Sequence, residues 1–253
     1  MQAVNDAPVL LVTGGSRGIG AAVSELAALR GWRVVINYAN GLDAATELAG
    51  RIRDSGGDAV AIRADIGHEE DIQALYADID RRFGRLDGLC NNAGIVDVTA
   101  RLDEMSNERL TRMFRVNTIG AIRVAAEAVR RMSTRHGGKG GAIVNISSMA
   151  AILGSPGQYI DYAASKGAID TLTIGLAREV AGEGIRVNAV RPGIIETDIH
   201  ASGGLPHRAR DMSPQIPMQR PGLASEVAQA VLYLLSPQAS YVTGAILNVS
   251  GGR

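Results

Sequence analysis

The chain has 253 residues, 46% of them hydrophobic and only 4% aromatic, with 26 basic residues balanced by 26 acidic ones. That length and balance predict a core of Ala, Val, Leu and Ile, and they exclude the charge profile of a nucleic-acid or anionic-membrane binder. No apolar run approaches the ~20 residues of a membrane helix, and Met1 to Pro8 shows neither a basic region nor a long apolar run, so no leader is expected.

In chain order, β-branched runs alternate with amphipathic stretches. Strands are expected at Val9–Thr13, Arg33–Asn37, Ala59–Ala64, Leu86–Asn91, Ala142–Ser147, Ile185–Val190 and Ala245–Val249. Helices are expected at Gly18–Arg30, Leu42–Ser55, Glu69–Phe83, Asn107–Met132, Tyr159–Ala181 and Ser225–Leu235. Repeated βαβ units with continuously apolar strands predict an α/β, Rossmann-type, doubly wound parallel sheet of seven strands, covered by helices on both faces. There is no linker and no internal repeat, so one domain over 1–253 is expected. The irregular stretch from Arg191 to about Gly222 is long enough to be a functional lid, centred on 195–220. It carries Gly203, Gly204 and Pro206 for bending, with His200, His207, Arg208 and Arg210.

The single cysteine, Cys90, lies in an apolar run and reads as a core residue. One thiol forms no internal disulfide, so a reducing cytoplasm is the expected location. The four histidines are scattered, so no metal site is expected.

The first strand runs into Thr13-Gly14-Gly15-Ser16-Arg17-Gly18-Ile19-Gly20 and then a helix. Glycines there let the backbone approach a pyrophosphate, and the helix start offers free N–H groups and a favourable dipole. The spacing is G-x-x-x-G-x-G. The second strand ends in Asn37-Tyr38-Ala39-Asn40, with no acid before Asp43. A carboxylate at this point would bond a ribose 2′-hydroxyl and repel a 2′-phosphate, whereas Arg17 can pair with that phosphate, helped by Asn37 and Asn40. NADP(H) is therefore expected ahead of NAD(H), which stays open.

Tyr162 and Lys166 stand at i and i+4 of one predicted helix, on one face. Upstream, Ser147 and Ser148 close the fifth strand, at the carboxyl end where such sheets place ligands. Carbonyl reduction needs a proton donor at oxygen as hydride reaches carbon. A free phenol, with a pKa near ~10, is a poor acid–base at neutral pH unless a cation lowers it. Lys166, together with the positive nicotinamide, is the candidate cation, and a serine hydroxyl, Ser148 or its rival Ser147, the candidate holder of the carbonyl oxygen.

With these motifs, and with Asp65, Asn91-Asn92-Ala93-Gly94, Asn117 and Pro192-Gly193 followed by Ile195 and Thr197, the chain resembles the short-chain dehydrogenase/reductase family over nearly its whole length. The resemblance implies that Tyr162 is the general acid/base, that Lys166 lowers its pKa and holds the nicotinamide ribose, that Ser148 orients the substrate and that Asn117 anchors a proton-relaying water. It implies cofactor contacts from Gly14, Ser16, Arg17, Gly18, Ile19, Gly20, Asn37, Asp65, Ile66, Asn91, Ala93, Gly94, Pro192, Gly193, Ile195 and Thr197. It also implies a homotetramer joined through the long helices and the last strand. Within the family the chain looks like bacterial glucose 1-dehydrogenase-like and 3-oxoacyl-(acyl carrier protein) reductase-like members.

The expected partner is a small carbonyl or alcohol substrate, with Val96, Gln158, Tyr159 and His200 as candidate contacts. The rivals are reduction of 3-oxoacyl thioesters, for which Arg130, Arg131 and Arg135 would form the basic patch, and a non-catalytic dinucleotide sensor.

Overall fold

The computed structural model describes residues 6–253, apart from the side chain of His200; part of the predicted leader-free stretch, residues 1–5, lies outside the described residues. Seven strands form one parallel sheet in the order β3-β2-β1-β4-β5-β6-β7. They are β1 (Val9–Val12), β2 (Arg33–Tyr38), β3 (Asp58–Arg63), β4 (Gly88–Asn91), β5 (Gly141–Ile146), β6 (Ile185–Pro192) and β7 (Ile246–Val249). All seven runs sit within two residues of the expected boundaries; the largest differences are β4, which starts two residues later, and β6, which extends two residues further, to Pro192.

Period-two geometry explains why the central strands are apolar throughout. On β1, Leu10 and Val12 join one core with Val34 and Ile36 of β2 and Val144 of β5. Val9 and Leu11 join a second core with Val35, Ile143 and Val187 on the opposite face. Leu10 and Leu11 are both fully buried, and each such side chain contributes roughly 1.5–3 kcal/mol of burial.

The first core is covered by α1 (Gly18–Leu29), α2 (Leu42–Asp54) and α10 (Ala224–Leu235). The second is covered by α3 (Glu69–Phe83), α5 (Ala121–Met132) and α7 (Ile160–Val180). Helix α3 shows why the chain folds this way locally. Glu69, Glu70 and Asp71 fill its first turn, Arg81 and Arg82 its last, and Gly84 ends it at φ 64°; the charges oppose the helix dipole and the glycine accepts the left-handed conformation.

The expected long helix over 107–132 is interrupted. It comprises α4 (Asn107–Phe114), a π-helical turn at Arg115–Gly120, and α5. Gly120 shows the reason for the tight fit at this turn, because a Cβ there would stand 2.2 Å from the Ile66 carbonyl oxygen. The stretch read as irregular contains α8 (Ile199–Ser202) and α9 (Arg208–Asp211), and another short helix, α6 (Ala150–Leu153), follows β5. Among the described residues no helix is long and apolar enough to cross a membrane.

The strand order reverses at β1, which pairs with β2 on one side and β4 on the other. Connections leave to opposite faces there, opening a crevice beyond the carboxyl ends of the strands.

Candidate active site and dinucleotide groove

Two adjoining clefts occupy that crevice. The larger, about 560 Å³, is lined by Gly14, Ser16, Arg17, Gly18 and Ile19 from the glycine loop, and by Asn37, Asp65, Ile66, Ala93, Gly94 and Thr197. The smaller, about 160 Å³, contains Ser148, Tyr162, Lys166, Pro192, Gly193 and Ile195. Ile19, Asn92, Gly94 and Thr197 border both.

The glycine loop is shaped by close approaches. Gly14 (φ +59°) lies against Ala93, and a Cβ on Gly20 would be 2.2 Å from the Gly14 carbonyl oxygen. Gly20 thus acts through packing beneath the groove. Helix α1 begins with no acidic residue in its first turn and no side-chain cap. Its first N–H groups keep the donor capacity that a phosphate requires, and the residues present fit a dinucleotide. Arg17 Nη2 donates to the Asn40 carbonyl oxygen at 3.5 Å, holding its guanidinium at the end of β2.

Two expected contacts are placed differently. The Asn37 side chain is spent inside the fold: Nδ2 donates to the Ala64 carbonyl at 2.9 Å, and Oδ1 accepts from Gly14 N–H at 3.4 Å. It braces the loop and does not reach out beside Arg17. Asn91 is buried beneath the cleft floor, where Nδ2 donates to the Ala121 carbonyl at 2.9 Å and to Asn145 Oδ1 at 3.1 Å. Its neighbour Asn92 borders both clefts and donates to the Thr13 and Gly14 carbonyls at 2.9 and 3.0 Å. Strand β4 ends at Asn91, so the side-chain alternation hides one asparagine and exposes the next.

Asp65 borders the groove, and its Oδ1 accepts from Gly67 N–H at 2.8 Å. Gly193 passes against the last loop, where a Cβ would be 2.8 Å from Ser250 Cα. Ile195 is bridged to Gly222 in parallel pairing, which anchors the start of the segment containing Thr197.

Helix α7 carries Tyr162 and Lys166 on one face beneath β5. Ser148 and Tyr162 both line the smaller cleft, while Ser147 is buried and donates to the Lys166 carbonyl at 3.3 Å. Both serines border that cleft, and the Ser147 hydroxyl is the one spent tying strand to helix. Lys166 Nζ donates to the Ile146 carbonyl at 2.8 Å and stands 5.7 Å from the centre of the Tyr162 ring.

The electrostatics differ from the expectation that Lys166 lowers the phenol. Burial raises the Tyr162 pKa above its ordinary value, opposed by the nearby Ser148 side chain. Burial also brings Lys166 down to about 8, opposed by the charge of Asp170. Both groups are thus biased toward their neutral forms in the chain alone.

Asn117 lies in the π-helical turn behind Gly94. Its Oδ1 accepts from Ile95 N–H at 2.8 Å, and its Nδ2 donates to the Ile95 carbonyl at 2.9 Å and to Ser165 Oγ at 3.2 Å. The side chain locks the 94–95 floor, and π-turns recur where local backbone pairing is adjusted at functional sites.

Val96 and Tyr159 border the smaller cleft, and Gln158 does not. The main-chain carbonyl of Gln158 accepts from Ala100 N–H at 3.1 Å. The His200 side chain lies outside the described residues. The residues missed in the sequence are Arg253 and, as a cleft-lining group, Arg208; Arg253 carried only the faint signal of a cation directly after Gly251-Gly252.

A family model described as enoyl-(acyl carrier protein) reductase matches residues 14–253. The chain is 51% identical to an uncharacterized oxidoreductase, YgfF, of Escherichia coli strain K12, over 97% of this chain and 99% of that protein. It is 39% identical to glucose 1-dehydrogenase 2 of Bacillus subtilis strain 168, over 96% of this chain and 93% of that protein. A crystal structure of 3-ketoacyl-(acyl-carrier-protein) reductase from Brucella melitensis complexed with NADH matches with a TM-score of 0.90 and 32% identity, over 99% of both chains. With the glycine loop, the crevice and the Ser148, Tyr162 and Lys166 cluster in place, the chain belongs to the short-chain dehydrogenase/reductase family of oxidoreductases.

Proposed function

We propose that the protein is an NADP(H)-dependent reductase of a small carbonyl compound, or dehydrogenase of the corresponding alcohol, with Tyr162 as general acid/base. The observation that carries this reading is that Ser148, Tyr162 and Lys166, from separate points of the chain, come together in the lining of the smaller cleft, which adjoins the larger one. Bound in the larger cleft, a reduced nicotinamide would supply a hydride to the carbonyl carbon. Ser148 would donate a hydrogen bond to the carbonyl oxygen, and the phenol would give that oxygen its proton. The raised Tyr162 pKa keeps the phenol protonated at neutral pH, the form that reduction needs. Lys166, held by the Ile146 carbonyl, would hold the nicotinamide ribose and return a proton to Tyr162. The Asn117 side chain is committed to Ile95 and Ser165, so a relaying water would use main-chain groups of the π-turn.

The NADP(H) preference rests on Arg17 at the end of a strand without an acid. The Brucella neighbour is described with NADH, so both cofactors belong in the test. We read residues 195–220 as a lid on one domain spanning 1–253, acting in the cytoplasm. Ile119, Ile122 and Ile174 are exposed on the long-helix side, and Leu247 on β7. These are the surfaces through which we infer a homotetramer.

The name of the Brucella neighbour favours a second reading, reduction of 3-oxoacyl thioesters. Against it, Arg130 and Arg131 pair with Glu127 and Asp80, and Arg135 faces Glu183 at 4.0 Å, so these arginines leave no unpaired basic patch for an acyl carrier. Oxidation of NADPH and NADH across ketones, sugars, diketones and 3-oxoacyl thioesters distinguishes the two. A preference for carrier-bound thioesters supports the second reading, and turnover of small free carbonyls supports the first. Cofactor binding with no turnover on any of them would indicate a sensor.

A further inference from the structure

The chain carries 26 basic and 26 acidic residues, yet the described lining of the smaller cleft holds Lys166, Arg208 and Arg253 with no Asp or Glu among them. Neighbouring arginines are neutralised: Arg220 pairs with Glu226, Arg191 with Asp170 and Arg112 with Asp97. Among the described residues Arg208 and Arg253 form no such pair. Arg208 lies over the Tyr159 ring at 5.3 Å, and Tyr159, itself cleft-lining, donates to the Gly203 carbonyl at 3.2 Å. The main chain of Arg253 is held by a tight turn, with Ser250 Oγ donating to its main-chain oxygen at 3.0 Å and Met218 N–H donating to the Gly251 carbonyl at 3.1 Å.

Both arginines are thus half-buried and line the cleft that contains Tyr162, the Arg208 guanidinium oriented by the Tyr159 ring and Arg253 placed by the main chain of its turn. Burial, with the charge of Arg208, brings the Arg253 pKa below its ordinary value. Two like charges drawn together in a partly desolvated cleft are unfavourable unless an anion joins them, and the planar guanidinium is suited to carboxylate or phosphate.

We propose that Arg208 and Arg253 clamp an anionic group of the substrate, so that the carbonyl compound reduced here carries a carboxylate or a phosphate. The inference rests on the reductase reading of the same cleft and adds the substrate's charge. Because Arg208 belongs to α9 of the lid and Arg253 to the last loop, the anion would also draw these two segments together over the reacting carbonyl.

The test measures binding and turnover on matched pairs: 4-oxopentanoate against its methyl ester, and dihydroxyacetone phosphate against dihydroxyacetone. Binding is measured by calorimetry on the protein with NADPH present. The anionic member of one pair is expected to bind roughly ten-fold or more tightly than its neutral partner. The pair that shows the larger ratio tells carboxylate from phosphate. Arg208→Met and Arg253→Met should each bring that ratio toward one. Arg210→Met, on an exposed side chain of α9 outside the cleft, should preserve it. Equal binding within both pairs, or a preference that survives both substitutions, overturns the clamp. Turnover reports separately on the reductase reading: selective binding without NADPH oxidation would keep the clamp and remove the chemistry, and reduction of neutral and anionic partners alike, with equal binding, would do the reverse.

Discussion

Arg109 and Asp161 form a buried bidentate ion pair that fastens α4 to the first turn of α7, with Nε 2.7 Å from Oδ2 and Nη2 3.2 Å from Oδ1. Their side chains are 9% and 0% exposed. The same Asp161 Oδ1 accepts the N–H of Tyr162 at 2.9 Å, and Arg109 Nη1 donates to the Val98 carbonyl at 2.7 Å. One pair therefore positions the start of the helix that carries Tyr162 and the loop beside the cleft.

Removing one partner leaves the other charge buried. Asp161→Asn should cost about 3 kcal/mol of stability, measured by urea unfolding. It should also lower kcat more than it raises KM, because Tyr162 is displaced while the substrate contacts remain. The double variant Arg109→Met/Asp161→Leu should be more stable than Asp161→Asn alone. If that single change leaves both stability and kcat intact, the pair does not position Tyr162.

Arg17→Ala should weaken NADPH roughly ten-fold or more, and NADH much less, since a charge-assisted contact to the 2′-phosphate is lost with only one of them. Direct titration of both cofactors checks this. Equal weakening would remove the 2′-phosphate role.

Lys166 should titrate near pH 8 in the chain without cofactor. Lys139 and Lys166 are the two lysines, so ¹⁵N-lysine labelling gives two side-chain signals to follow. Lys166 has a folded pKa below its unfolded value, so its charged form is a stability cost fully present below pH 8. That cost is relieved as pH rises from about 8 toward the unfolded value near 10.5. In a Lys166→Met variant the part of the stability gain in this window that comes from Lys166 should vanish. An ordinary Lys166 titration near 10.5 would contradict the burial described.

Strands β1 to β6 were readable because each is a short apolar run whose alternate residues feed two cores, as Leu10 and Leu11 do, whereas β7 packs against only one of them, through Val249. The glycine loop was readable because Gly14 and Gly18 take positive φ and Gly20 leaves no room for a Cβ beside the Gly14 carbonyl oxygen. The π-turn at Arg115–Gly120 was not, since one extra residue in a turn barely disturbs an apolar period; its causes lie in the distant Ile66 and Ile95. Helices α6, α8 and α9 have four residues each, too few to show a period. Asn91 and Asn92 are chemically identical, and only the parity of β4 separates the buried one from the cleft-lining one. Arg208 and Arg253 are brought to one cleft by tertiary packing of the lid and the last loop, which no local spacing announces.

The most direct test compares NADPH oxidation by the wild-type protein and Tyr162→Phe on the best carbonyl substrate, with NADPH affinity measured in both. The account predicts that the variant folds, binds NADPH as tightly as wild type and loses about a hundred-fold or more in kcat, the order expected for a lost general acid. Turnover within a few-fold of wild type, at unchanged cofactor affinity, would contradict it.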